Sequence, residues 1–153
     1  LRRMIVYSDN NAANLLGQML TLDQKKMVFT DLNLTPVDFA DKGDTFTADD
    51  YALFLRVLYN ATYVSRDLSN AALALLTEVD FRQGLVAGVP VAHKYGHRSI
   101  EGAKPEEQFH DCGIFYQAQK TYLVCAMTRG SAADALQKTV ADISHTVYLY
   151  FAS

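Results

Sequence analysis

The chain has no surplus of basic residues, no long apolar run and only two cysteines. Each shortage narrows the field. With 14 Lys and Arg against 17 Asp and Glu, the net charge of -3 leaves no cationic excess to neutralise a phosphate backbone, so nucleic acid has little electrostatic support as a partner. The longest apolar stretches, Ala71 to Leu76 and Val147 to Ala152, fall far short of the ~20 residues that cross a bilayer. The chain opens on Leu1, Arg2, Arg3 and Met4 without a signal-peptide pattern, so any export signal is expected upstream. Two cysteines are too few for a disulfide framework, and they lack the C-x-x-C spacing of a metal site. There is no internal repeat and no low-complexity tract.

What is present is apolar and compact in pattern. Half of the 153 residues are apolar and a fifth are charged, which suits one core and one folding unit. The first part, residues 1–83, reads as helical. Ser8 is placed to cap a helix over Asn10 to Leu20, with Ala12, Leu15, Leu16 and Met19 on its inner face. Thr47 followed by Asp50 predicts a second helix to about Asn60, with Tyr51, Phe54, Val57 and Leu58 inward. Ser65 predicts a third, carrying Leu68, Ala72, Leu75 and Leu76. Thr30 to Phe46, with Pro36, Gly43 and four aspartates, reads as a loop.

The pattern changes near Gly84, and residues 84–153 form the second part. Val89 to His97, Phe109 to Tyr116 and Tyr122 to Thr128 predict three strands, with a hairpin symmetric about Ala118 and Gln119. That symmetry puts Cys112 opposite Cys125. Two buried thiols are expected there in preference to a bridge, because cross-strand geometry seldom suits a disulfide. Gly130 and Ser131 end the last strand, and Leu136, Val140, Ile143 and Val147 space a final helix. The expected fold class is therefore α+β: a helical region, then an antiparallel sheet flanked by a C-terminal helix.

Ser8-Asp9-Asn10 and Lys94-Tyr95-Gly96 are weak signals singly, but their order is informative. A Ser-x-Asn element before a helix, some eighty mostly helical residues, a strand with Lys-x-Gly, two more strands and a closing helix together resemble the penicillin-recognising active-site-serine hydrolases, of the class A β-lactamase type. The resemblance spans the whole chain. It includes the approach from Gly84 to Lys94, with Pro90 and His93, and the closing runs Asp111-Cys112-Gly113-Ile114 and Cys125-Ala126-Met127-Thr128.

The resemblance implies acyl transfer through a serine ester, on β-lactam or peptidoglycan-like amides, in an exported or periplasmic protein without a cofactor. Ser8 would relay a proton toward the leaving nitrogen. Asn10 would hold the substrate acylamide, Lys94 would supply positive charge for the substrate carboxylate, and Gly96 would let the strand approach the ligand. The backbone N–H of His97 would serve the oxyanion hole, where losing one donor costs ~3 kcal/mol.

Three departures stand out. No serine has a lysine three positions later, so the nucleophile motif Ser-x-x-Lys is absent. It is expected upstream, with the N-terminal piece or a second copy of the chain as partner if a sheet edge lies exposed. The loop Thr30 to Phe46 contains no Glu to activate a deacylating water, and Asp31, followed by Asn33, is the nearest substitute. That favours a D,D-peptidase or slow penicillin-binding protein as the second reading. Tyr95 stands where Thr or Ser is usual, and strand alternation points it away from Lys94. A non-catalytic module binding cell-wall fragments or a partner protein is the reading from another class.

Competing constellations are weaker. His93 and His97 share a strand face at about 13 Å, too far to chelate one ion, so no metal site is expected. Ser99, His110 and Asp111 make a triad on paper without a nucleophile-elbow sequence. His93 and His110 read as partly buried, hydrogen-bonded residues. Tyr116, Tyr122, Tyr148 and Tyr150 read as packing.

Overall fold

Side chains that can cap a helix start decide where most of the helices begin. In the computed structural model, which describes residues 1–34, 46–85, 88–102, 104–118 and 120–153, the helices are α1 (Arg2–Val6), α2 (Asn10–Gln18), α3 (Leu22–Asp31), α4 (Ala48–Asn60), α5 (Arg66–Thr77) and α6 (Ala133–Ala152). Thr47 and Asp50 close a capping box at α4, and Ser65 accepts the Leu68 N–H at α5. At α2 the expectation is corrected. Asp9, not Ser8, is the cap, accepting N–H groups from Asn11 and Ala12 at 2.9 and 3.1 Å. The short helices α1 and α3 were not expected, although Thr21 and Gln24 form a capping box ahead of α3.

The inner faces also shift. α2 buries no residue, and its expected inner residues Leu15 and Met19 are 65% and 75% exposed. On α5 the buried positions are Ser69, Leu73 and Leu76, while Leu68 faces outward. The most buried residue of α4 is Leu55, with Tyr51 and Leu58 packed beside it. Of the loop expected over 30–46, residues 35–45 lie outside the described residues.

The sheet is an antiparallel meander of β1 (Val91–Ile100), β2 (Glu106–Gln117) and β3 (Lys120–Gly130), in the order β1-β2-β3. β1 extends to Ile100 and β2 starts at Glu106, so both strands run through polar residues of the connection expected over 99–108. Cys112 pairs with Cys125 as expected, but the two are joined in a disulfide. The reason lies in the ladder. Tyr116 N–H donates to Pro90 O, which makes 90 and 116 a hydrogen-bonded pair and, by alternation, directs the backbone groups of Cys112 toward β1. Cys112 and Cys125 are then a close, non-hydrogen-bonded pair, with Cα atoms 4.0 Å apart.

Helices cover both sheet faces. Ala92, Cys112 and Ile114 pack with Leu55, Leu73 and Leu76 of α4 and α5. Val91, Phe109, Phe115 and Ala126 pack with Leu85 and with Leu136 and Val140 of α6. The class is α+β, as expected, with a second helical layer added. Fully burying an aromatic such as Phe109 contributes roughly 2 to 3 kcal/mol, so these two layers hold the strands that carry the site.

Candidate functional site

Moving the cap to Asp9 releases Ser8 from the helix. Ser8 has φ +53°, in the left-handed region that a serine enters at a cost on the order of 1 kcal/mol. Asp9 anchors the turn on its other side, its N–H donating to Arg3 O and its carboxylate meeting Arg3 Nε at 3.5 Å. The Ser8 hydroxyl is left free to accept a hydrogen bond from Lys94 Nζ at 2.6 Å, across 86 residues of sequence. Both groups are partly buried, and a charge-assisted bond of this length is among the stronger kinds.

Lys94 lies on the edge strand. Its ammonium also donates to Tyr95 O at 3.0 Å. Burial lowers its pKa from the ordinary lysine value, and the charge of Asp111 opposes that fall. The ladder alternation that joins Pro90 to Tyr116 turns the N–H and C=O of Tyr95 and His97 away from β2, onto the free edge of β1. The His97 amide therefore points off the sheet on the side where Lys94 meets Ser8. Asn10 is the first residue of α2, two positions from Ser8, and is exposed.

Gly96 lines the same cleft, and a Cβ there would meet nothing within 4 Å, so glycine keeps that wall low. Tyr95 does not line the cleft. Its ring stacks on Phe81 at 4.1 Å, but the expectation that it points away from Lys94 is corrected: the lysine side chain bends back so that Nζ reaches Tyr95 O at 3.0 Å and lies 4.6 Å from the centre of the Tyr95 ring. The His97 side chain bonds Glu107 at 2.7 Å, and the Glu107 carboxyl is held below its usual range by Ser99 first and His97 second.

The cleft encloses about 630 Å³. Lys94, Gly96 and Arg98 of β1, His110 and Cys112 of β2 and Tyr51 of α4 are among the residues that line it. Among the described residues no acidic one lines it, although the chain as a whole is acidic. Such a cleft suits an anionic ligand. Arg98, Arg129 and Tyr51 were missed in the sequence. The alternation that puts Lys94, Gly96 and Arg98 on one face was the available signal.

The rival sets do not assemble. Ser99 donates to Glu107 at 2.9 Å, His110 accepts the Thr128 N–H at 3.1 Å, and Asp111 bonds His93 on the other face. No group of three metal-ligating side chains occurs among the described residues. Asp31 ends α3, where its carboxylate accepts the Tyr63 hydroxyl at 2.8 Å. Asn33 follows in a left-handed turn.

A helical region packed on one face of an antiparallel sheet, a terminal helix on the other, and a serine and a lysine meeting at the sheet edge define a β-lactamase/transpeptidase-like domain. The chain belongs to the Beta-lactamase enzyme family, whose model matches residues 1–151. Solved structures share the fold. A class A β-lactamase from Bacteroides cellulosilyticus is 19% identical with a TM-score of 0.82, over 98% of this chain and 61% of its own. PBP-A is 20% identical with a TM-score of 0.77, over 99% of this chain and 59% of its own. A β-lactamase from Sphaerobacter thermophilus is 24% identical with a TM-score of 0.71, over 94% of this chain and 57% of its own. The chain thus spans about three fifths of the length of these neighbours. A variant of PBP-A is also known as an acyl-enzyme complex with penicillin G. No curated protein matches the chain.

Proposed function

We propose that this chain is the substrate-holding part of a class A β-lactamase-like acyl-transfer site, acting on β-lactam or cell-wall peptide amides, with the nucleophilic serine supplied from outside residues 1–153. The observation that carries the reading is the 2.6 Å bond between Lys94 Nζ and Ser8 Oγ. The ammonium donates, so the serine oxygen accepts and keeps its own proton for another partner. In that state Ser8 can pass a proton toward a leaving nitrogen and be resupplied from the lysine side. Lys94, whose described cleft neighbours include no acid, also attracts a substrate carboxylate. Asn10 would hold the acylamide, and the His97 N–H, free at the strand edge, would meet the developing oxyanion.

The second reading, a D,D-peptidase or slow penicillin-binding protein, is favoured by one observation. Asp31, the nearest substitute for a deacylating Glu, is exposed and bonded to Tyr63. The acyl-enzyme of the PBP-A variant supports the same direction by analogy. The Cys112–Cys125 disulfide supports an oxidising compartment, so we place the protein outside the cytoplasm. β3 has β2 as its one sheet partner among the described residues, and its other edge is where an N-terminal piece or a second copy of the chain would add a strand.

The test has two arms. Labelled penicillin should form no adduct with residues 1–153 alone, and a covalent adduct there would defeat the claim that the nucleophile lies elsewhere. The protein carrying its upstream segment should be acylated. Steady-state nitrocefin turnover then supports hydrolysis, and a single burst without turnover supports the slow-deacylation reading.

A further inference from the structure

Behind the cleft, on the packed face of the same two strands, lies an ionisable pair that the reading above does not use. His93 and Asp111 both have side chains with 0% exposure. His93 Nδ1 stands 3.0 Å from each carboxylate oxygen of Asp111, and Asp111 Oδ2 also accepts the Leu85 N–H at 2.8 Å. In register His93 faces Gly113 and Asp111 faces Tyr95, so the contact runs diagonally across the strands. One carboxylate thus ties together β1, β2 and the segment that leads into β1.

Glycines make room for the pair. A Cβ on Gly84 would overlap Asp111 Oδ2, and one on Gly113 would lie 2.6 Å from His93 Cβ. Apolar residues of similar volume would hold this layer without the desolvation cost of burying two hydrogen-bonding polar side chains. Packing alone therefore gives no reason for His and Asp here.

Their position does. His93 precedes Lys94 in the chain, and Asp111 precedes Cys112, the register partner of Lys94. Among the described residues, the titratable and charged groups that line the cleft with Lys94 are Tyr51 from α4, His97 and Arg98 from β1, His110 from β2 and Arg129 from β3, none of them acidic, and the Tyr95 ring lies 4.6 Å from the ammonium. Asp111 is, among the described residues, the acidic group that bears on the ammonium, opposing the effect of burial. Its charge also adds to the burial that pushes the Tyr51 hydroxyl up to about 12.

We propose that His93 and Asp111 are positioning residues for the site: they lock edge strand β1 against β2 so that the Lys94 ammonium stays on Ser8 and the His97 amide stays at the free edge, and they set a negative charge behind that ammonium. The proposal rests on the roles given above to Lys94 and His97, but its test needs no substrate.

Lysine side-chain nitrogens and backbone amides of the chain are isotope-labelled and followed by NMR from neutral to strongly alkaline pH. The Lys94 signal is assigned by its loss in Lys94→Arg. Asp111→Asn should move the Lys94 midpoint downward and shift the His97 amide resonance, while Lys138, whose partner is Asp142, stays unmoved. His93→Gln, which keeps a donor for Asp111, should hold the His97 amide near its wild-type position, and His93→Ala should not. A folded Asp111→Asn protein with wild-type Lys94 midpoint and wild-type His97 amide would overturn the proposal. Should Asp111→Asn not fold, the His93 pair decides, because equal His97 amide shifts in Gln and Ala variants overturn it as well. Since no penicillin takes part, either failure leaves the acyl-transfer reading to be judged by its own test.

Discussion

The two faces of β1 differ in what they ask of adjacent residues. Lys94, Gly96 and Arg98 look into an open cleft, where a side chain is free to meet a ligand. His93 and Tyr95, one position away, are committed, the first to Asp111 and the second to Phe81 and Phe109. The difference teaches where a substitution will register. On the cleft face it should change chemistry with little loss of stability, and on the packed face it should change stability first.

Lys94→Ala gives the largest expected effect. In protein carrying its upstream segment it should lower penicillin acylation by at least about a hundredfold, in line with losses of single electrostatic groups in such sites, with the thermal midpoint nearly unchanged. A variant that unfolds instead would erase the distinction between the faces. Next come two glycine substitutions read side by side in urea. Gly113→Ala places a Cβ 2.6 Å from His93 Cβ and should destabilise by about 1 to 3 kcal/mol. Gly96→Ala meets nothing within 4 Å and should stay within roughly 0.5 kcal/mol of wild type. Equal losses would show that the cleft wall is packed after all.

Asp9→Ala removes the cap of α2 and should cost about 1 kcal/mol or less. Its sharper readout is acylation, because the same turn presents Ser8 to Lys94. The smallest effect is in pH. The pKa of Lys94 is lowered chiefly by burial, so the folded chain binds fewer protons there than the unfolded chain in the window just below the ordinary value of 10.5. Across that window this group makes stability rise with pH. Acylation should meanwhile decline at a lower pH than an unperturbed lysine would allow, which a rate profile of the upstream-complete protein measures.

Much of this arrangement was legible in the residues. Thr47 with Asp50 and Ser65 mark helix starts, and the hairpin about Ala118 and Gln119 sets the cysteine register, whereas alternation points Tyr95 away from Lys94 and misses the ammonium folding back over its ring. Other features compete with local rules. Ser8, Asp9 and Asn10 are all good caps, and only the tertiary pull of Lys94 on Ser8 shows why Asp9 takes the position. The chemistry of α3 was readable in Thr21 and Gln24, but its apolar pattern is too weak to signal a helix. The strands extend through Arg98, Ser99, Glu106 and Glu107, whose polarity suggests a loop and whose cross-strand bonds make a ladder. A disulfide depends on which ladder pairs are close, and that parity is invisible without backbone hydrogen bonds. A polar residue in a strand reads as solvent-facing, so His93 and Asp111 look ordinary until their burial is seen.

The bare face of α2 has a consequence for motion. A nine-residue helix that buries nothing lies well below the length at which helices persist in water unaided, and capping at Asp9 is what its own residues offer it. Lys94 and His97, by contrast, ride on a strand paired along its length to β2. Amide hydrogen exchange should therefore run in two tiers, with the amides of α2 released at low free energy and those of β1 paired to β2 protected close to global unfolding. One end of the site would breathe while the other stands still, and Asn10, at the breathing end, would be the first of the candidate groups to leave its place.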